Sequence, residues 1–444
     1  MSARPMLRRA AIAALALVAA SVAGTGTLRA ETIALSGATV HTVSGPVLHD
    51  ATVVVTDGKI AAVGSGIAVP AGATTVPCGG KHIYPGMISA NTVLGLIEVN
   101  SVLGTNDQTE TGNVNPNIRA EVQINPESDL LPVTRVNGVT CVLTVPRGGA
   151  ISGTSALIHL DGWTHEDMTV AKPVGLHVNW PSLNINRAWW ETRSEEDQKK
   201  AREEAIQAIR DAFENARAYW TARGAEGKRG VPRHDRDVKW DAMGRALRGE
   251  IPVMFHANAL NQIRSVLRFV DEQKLTRVVL VGGTDAWRVA DELKARDIAV
   301  VTASPSSLPS RSYEAYDEGM TLPAKLHAAG VRFCVSDAGG STNARNLPYE
   351  ASMAAAYGLP REEALKSITL YPAQILGVAD RLGSIEPGKI ADLIVTNGDP
   401  LEITTQVEQV YLSGRPVSME TRHTRLFQKY DRRPRGPLAR KRAS

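Results

Sequence analysis

Four residues carry most of the chemical capacity legible in this chain: Arg147, His177, His256 and Asp337. His177 lies in the β-forming run Val174 to Val178, His256 closes Ile251 to His256, and Asp337 follows Val331 to Val335. Two imidazoles and a carboxylate converging at the ends of neighbouring strands offer three ligands for one divalent ion, zinc above all, with a further position for water. Such an ion lowers the pKa of its bound water to roughly 7 and polarises a carbonyl. Plainer roles exist for each. A His closing a strand is as readily a hydrogen-bonded core residue, and Asp337 can cap the turn that follows it. Arg147 opens the Gly-rich stretch Arg147-Gly148-Gly149 with Gly153-Thr154-Ser155, whose guanidinium and backbone N–H groups suit a substrate carboxylate. Glu98, Asp107 and Glu110, between Gly95 and Asn117, are reserve carboxylates. Trp163, Trp189 and Trp190 are candidates for a pocket wall or for packing.

These residues need a frame, and the chain's rhythm supplies one. Strand-like runs begin near Ile251, Arg277, Ile298 and Val331, with amphipathic helical stretches between them, which is the pattern of βα units and a parallel sheet. Earlier candidates are Ile83 to Ala90, Val139 to Val145 and Val174 to Val178. About eight such units favour a TIM-like (β/α)8 barrel over an open sheet, since no Gly-rich dinucleotide turn follows a strand. In such barrels the working residues sit at the C-terminal strand ends, which selects Asn91, His177, His256, Gly282-Gly283 and Asp337. The charged stretch Glu195 to Ala222 reads as a solvated helix with a capping box from Ser194 to Asp197. Outside the βα region, Thr32 to Thr75 and Ala391 to Leu412 are β-patterned, with Asp57-Gly58 as a hairpin turn. The expected α/β organisation is therefore a barrel over 83–382 and a small composite β-sandwich domain from 31–82 and 383–420, followed by a basic tail, 421–444.

Composition removes other classes. Of 444 residues 43% are hydrophobic, and 50 Lys and Arg against 46 Asp and Glu leave a charge of +4, which argues against disorder and against a nucleic-acid footprint. Arg4, Arg8 and Arg9 precede the uncharged stretch Ala10 to Ala23, and Leu28-Arg29-Ala30 stands before Glu31. These are the parts of a secretory signal cleaved near Ala30, giving a periplasmic or secreted protein. No later apolar run approaches the ~20 residues needed to span a membrane. Cys78, Cys141 and Cys334 are too few and too scattered for a disulfide framework and read as buried thiols.

Two stretches resemble a known family. Tyr84-Pro85-Gly86-Met87-Ile88-Ser89-Ala90-Asn91-Thr92-Val93 is similar to the first barrel strand of the amidohydrolase superfamily. Ala364 to Thr369 with Pro372-Ala373, then Leu382-Gly383-Ser384-Ile385-Glu386-Pro387-Gly388-Lys389-Ile390-Ala391-Asp392-Leu393-Ile394-Val395, resembles that family's return to its β domain, closest to the imidazolonepropionase-like branch. The resemblance implies metal-assisted hydrolysis of C–N bonds. It also implies roles: His177 at the fourth-strand ligand position, His256 as the fifth-strand His, and Asp337 as the eighth-strand Asp that orients water and takes its proton. Asn91 and Val93 stand where the family carries a His-x-His pair, and Gly282-Gly283 where another His is common, so at most one divalent ion, zinc by preference, is expected.

The expectation is an exported hydrolase of amide or cyclic amide bonds in a small molecule or peptide. Its metal ligands would be His177, His256 and Asp337, its catalytic pair Asp337 and His256, and its substrate-binding residue Arg147. Neither nucleic acid nor a membrane span in the mature chain is implied, and self-association into a homo-oligomer is compatible with the sequence. Two alternatives differ in class: a binding protein that kept the fold after losing the His pair, and a metal-independent hydrolase with Asp337 as base and His256 assisting.

Overall fold

Three sheets and the helices packed on them make up the computed structural model, which describes residues 31–433 apart from 229, 232, 234 and 338. The expected signal segment, 1–30, and the tail beyond 433 lie outside the described residues. In chain order the first strands are β1 (Thr32–His41), β2 (Val47–Thr56), β3 (Lys59–Ser65), β4 (Thr74–Pro77) and β5 (His82–Pro85). Then come β6 (Met87–Thr92), β7 (Val139–Thr144), β8 (Ile151–Thr154), β9 (Ala156–His159), β10 (Thr169–Ala171) and β11 (Leu176–Asn179). The sequence continues with β12 (Val253–Ala257), β13 (Val278–Gly282), β14 (Ala299–Thr302) and β15 (Phe333–Cys334), and ends with β16 (Leu393–Thr396), β17 (Val407–Leu412) and β18 (Arg415–Pro416).

Strands from both ends of the described chain share one eight-stranded sheet, ordered β18-β17-β16-β5-β1-β2-β3 with β4 beside β1. It is a single sheet rather than two facing ones. Its β2–β3 hairpin turns at Asp57 (φ 49°) and Gly58 (φ 77°), the two positive φ angles of a type I′ turn. The join between sheets is at Gly86, so the run expected as one strand over 83–90 is two, β5 and β6. Gly86 N donates to Asp392 O at 2.8 Å, and a Cβ at this position would lie 2.1 Å from Thr140 Oγ1. Only glycine lets the chain change sheets so close to β7. Gly86→Ala is expected to cost about 1–3 kcal/mol by overpacking, and Thr140→Ala in the same chain should recover part of it. Thermal unfolding of the single and double variants checks this; equal midpoints for Gly86→Ala and the parent would sink it.

The βα region forms a six-stranded sheet, β15-β14-β13-β12-β11-β8, and a four-stranded one, β10-β9-β7-β6. From β11 to β15 the neighbours are parallel, with His256 opposite both Asn179 and Val281. Both faces are buried, which is why these strands read as unbroken apolar runs. Val279, Val281, Met254, Val301 and Cys334 pack together on one face; Leu280, Phe255 and Val300 pack with helix residues such as Ile263 and Leu267 on the other.

The expected all-parallel closed barrel is not what the described strands form. Only residues 145–150, six in all, separate β7 from β8. A parallel crossover needs a dozen or more residues, so the chain returns antiparallel, β8 against β11 and β9 against β7. The ladder breaks at Ser155, whose N donates to Gly175 O at 3.0 Å. Between β15 and β6 there is no strand pairing; Val335 N instead donates to Ser367 O (3.0 Å) and Ile88 N to Ile368 O (2.8 Å).

The long helix Glu195–Ala225 begins as expected, Ser194 Oγ accepting from Asp197 N at 3.0 Å, and buries Ile209, Phe213 and Ala216. No helix among the described residues is long and apolar enough to cross a membrane. Part of the expected tail is a helix, Arg422–Asp431, capped by Thr421. All three cysteines are buried and free.

Candidate active site

Asn91, Arg147, His256 and Asp337 lie at or just beyond the C-terminal ends of β6, β7, β12 and β15. His177, in β11, is fully buried, and its Nδ1 lies 2.9 Å from His256 Nε2. One ring donates and the other accepts, in a direction set by their tautomers. Burial, then the neighbouring His256 and Arg147, hold His177 well below the usual imidazole range. Burial and then Arg147 bring His256 down to about 3. His177 Nε2 is buried without a hydrogen-bond partner.

Asp337 is 1% exposed. Ser89 Oγ donates to its Oδ2 at 3.3 Å and Gly339 N to its Oδ1 at 3.2 Å. Burial pushes the carboxyl up to about 7, with Glu350 acting in the same direction and the hydrogen bonds from Gly339 and Ser89 against it. The result is a carboxyl group poised to exchange a proton at neutral pH.

Arg147 is fixed at both ends. Its backbone N donates to Gln108 O at 2.6 Å, and its Nη2 donates to Asn91 Oδ1 at 2.9 Å and Gly339 O at 3.3 Å. Burial weakens its hold on its proton while Asp337 strengthens it. Of the adjoining N–H groups, Thr154 N donates to Ile118 O at 2.8 Å and Ser155 N to Gly175 O at 3.0 Å, while Asn179 Nδ2 donates to Gly149 O and Ser152 Oγ, each at 2.8 Å. Gly282 and Gly283 (φ 98° and 58°) shape the end of β13 and offer no side-chain donor.

Donors shared by one zinc ion lie about 2.0–2.3 Å from it, so only side chains whose ligand atoms approach one another to within about 5 Å are candidates for a shared ion. Among the described residues, His177, His256 and Asp337 do not form such a group; Cys141, His159 and Asp392 do, with ligand atoms within 4.8 Å of one another. At the strand ends the Asn91 oxygen is taken by a guanidinium, and Val93 is buried without any donor. The expected three-ligand ion therefore does not fit these residues as they stand. Glu98, Asp107 and Glu110 join no such group either, and Glu110 bonds to Thr111 (2.8 Å) instead. Trp163, Trp189 and Trp190 are exposed and wall no buried pocket.

Sequence reasoning missed Ser89 and Gly339 as the supports of Asp337, and missed the Cys141–His159–Asp392 cluster. Asp392 stood inside the quoted Ala391-Asp392-Leu393 stretch, but its partners on β7 and β9 are visible only in three dimensions. His159 Nε2 lies 2.9 Å from Asp392 Oδ2, Cys141 Sγ donates to the same oxygen at 3.4 Å, and Ser413 N donates to Oδ1 at 2.9 Å. Burial opposes charge on His159, yet Asp392 and Cys141 raise it well above the usual imidazole range. Asp392 is held low by His159 despite its own burial, and burial pushes the Cys141 thiol up to about 11. The three donors have the spacing an ion accepts. They also form a buried ion pair beside a protonated thiol, located where β6 begins rather than where it ends.

Comparison with known proteins agrees with this architecture. The family model described as "Amidohydrolase family" matches residues 168–417. Amidohydrolase tasK of Hapsidospora irregularis is 24% identical over 403 residues, covering 80% of this chain and 39% of that protein, so the chain spans about two fifths of that curated relative. The crystal structure of an amidohydrolase from Thermotoga maritima MSB8 is 29% identical, with a TM-score of 0.79 over 87% of this chain and 99% of that one. An adenosine deaminase from Xanthomonas campestris with bound zinc is 20% identical, with a TM-score of 0.50 over 90% and 98% of the two chains, a likeness of fold alone. With more than half its length matched by the family model and its fold matched over 87% of its length by a solved relative, the chain belongs to the amidohydrolase family.

Proposed function

We propose that this protein is an exported hydrolase of C–N bonds, amide or cyclic amide, acting on a small molecule or peptide. The observation that carries the proposal is Asp337: a buried carboxyl brought to about 7, supported by Ser89 and Gly339 and placed near a fixed cation. Its carboxylate takes a proton from water as the water oxygen adds to the carbonyl carbon. The proton then passes to the leaving nitrogen as the C–N bond breaks, with His256 assisting. Arg147 binds the substrate. A periplasmic or secreted location after cleavage near Ala30, the imidazolonepropionase-like branch, and a metal content of at most one divalent ion, zinc by preference, are parts of the same reading. Family relatives usually bind metal, but the residues at the strand ends of this chain do not fit an ion, and Asp337 activates water directly.

A second reading, a binding protein on a retained fold, is favoured by Asn91 and Val93 in place of the His pair. One assay separates the two. The mature protein is incubated with N-acyl amino acids, dipeptides and cyclic amides, and released amine or opened ring is measured. Turnover that disappears in Asp337→Asn supports the hydrolase. Absence of turnover across the panel supports the binding protein.

A further inference from the structure

The guanidinium of Arg147 stands on the oxygen that a metal would use. Asn91 occupies the first position of the family's His pair, and its Oδ1 accepts from Arg147 Nη2 at 2.9 Å. The second acceptor, Gly339 O, lies at 3.3 Å. The seat is close-fitting: a Cβ on Gly339 (φ 78°) would lie 2.6 Å from Arg147 Nη2 and 3.0 Å from Asn91 Nδ2. Any side chain there would displace the guanidinium. Asn91 thus serves as an acceptor for the arginine at the position where a His would serve as ligand. No other acceptor among the described residues is bonded to Arg147 Nε or Nη1, so the half-buried group keeps donors for a further anion. Gly339 links the group to Asp337, its O accepting from Arg147 while its N donates to Asp337 Oδ1, and the guanidinium charge helps to hold His177 and His256 low. A divalent ion at the same place would meet that charge across a low-dielectric gap.

We propose that Arg147 is the resident cation of this site, excluding a divalent ion from it, and that the site takes amides bearing a carboxylate beside the scissile C–N bond. The proposal rests on the strand ends being the active site, as in the function proposed above. The guanidinium fork matches a carboxylate through paired N–H donors and holds it at a fixed angle, which a point charge does not. A carboxylate seated on Arg147 brings the adjoining carbonyl carbon toward the Asp337 side of the site.

Two measurements test this. In the first, protein purified without chelators is dialysed against zinc, and the metal is counted in the parent chain, His256→Ala and Cys141→Ser. The expected result is no zinc dependent on His256; any ion present should depend on Cys141. One equivalent of zinc lost on His256→Ala would overturn the proposal. In the second, calorimetry compares N-acetylglycine with N-acetylglycinamide on the mature chain. The acid should bind at least about tenfold more tightly, a preference lost in Arg147→Met and partly kept in Arg147→Lys. Gly339→Ala, which alters the seat and keeps the charge, should weaken the preference too, and covers the case of a poorly folded Arg147→Met. Equal binding of acid and amide, or no binding of the acid by the parent, overturns the assignment. Binding of the acid through Arg147 without amine release from any compound keeps the assignment and removes the hydrolase reading.

Discussion

Asp337→Asn is expected to lower any C–N hydrolysis by about 10²–10⁴-fold while leaving the fold intact, the usual loss when a positioned general base is removed. The amide keeps the shape of the acid: its oxygen can still accept from Gly339 N, and its Nδ2 can donate to a reoriented Ser89 Oγ, so packing around this 1% exposed residue should persist. What disappears is the ability to take a proton. Because burial has brought the carboxyl up to about 7, the parent's rate should climb as pH rises through that value and the base form fills. The stability sign is the opposite. An acid whose folded pKa is raised above its unfolded value disfavours folding once pH exceeds the unfolded value, so Asp337→Asn should be neutral to stabilising at alkaline pH. Rate profiles from pH 5 to 9, beside unfolding midpoints over the same range, check both statements. A variant with the parent's rate and the same pH limb would remove Asp337 from the chemistry.

Asp392→Asn should have the largest effect on stability, about 3–5 kcal/mol, because it leaves a buried His159 without its counter-charge. The pair joins β9 to the residue before β16, and Ser413 N completes it from the β17–β18 turn, so its loss loosens three segments at once. His159 is raised, so its contribution is complete below the ordinary imidazole value and fades as pH climbs through the raised one. Asp392 is lowered, so its contribution is present above the ordinary carboxylate value and is lost as pH falls through the lowered one. The parent should therefore be most stable between these limits, and the variant should lose most of that pH dependence. Denaturant unfolding of both proteins between pH 3 and 10 reads it directly; superimposable curves would mean that the pair contributes nothing net.

The β11–β15 region was legible because both faces of its strands are buried, and continuous apolar runs such as Val278 to Val281 announce that. The Asp57-Gly58 hairpin was legible because positive φ at two successive positions has few sequence solutions. Direction was not. Gly153-Thr154-Ser155 reads as part of a Gly-rich turn, yet 151–159 forms β8 and β9, and the short gap after Thr144 carried the clue that they must return antiparallel. At the active site the residue types were readable, and the pairing of His177 with His256 follows from neighbouring parallel strands. The arginine was read as a substrate contact, but its seat on Asn91 was not. That seat depends on Gly339, and a glycine gives no sign of which side chain fills the space it leaves.

The changeover at Gly86 also bears on the order in which the molecule can assemble. On one side of it, β5 pairs with β1 and with β16, and Ile83 meets Val395 only after the whole βα region has intervened. During synthesis the N-terminal strands can form their own hairpins, but the outer edge of β5 waits for a partner near the other end of the chain. Closing so long a loop costs entropy before any contact rewards it, which places this pairing late and slow among folding events. Until then β5 presents unpaired N–H and C=O groups, the kind of edge that invites pairing between chains. A chain kept unfolded until synthesis was complete would meet both halves of this sheet together, and would never carry that edge exposed on a half-built protein.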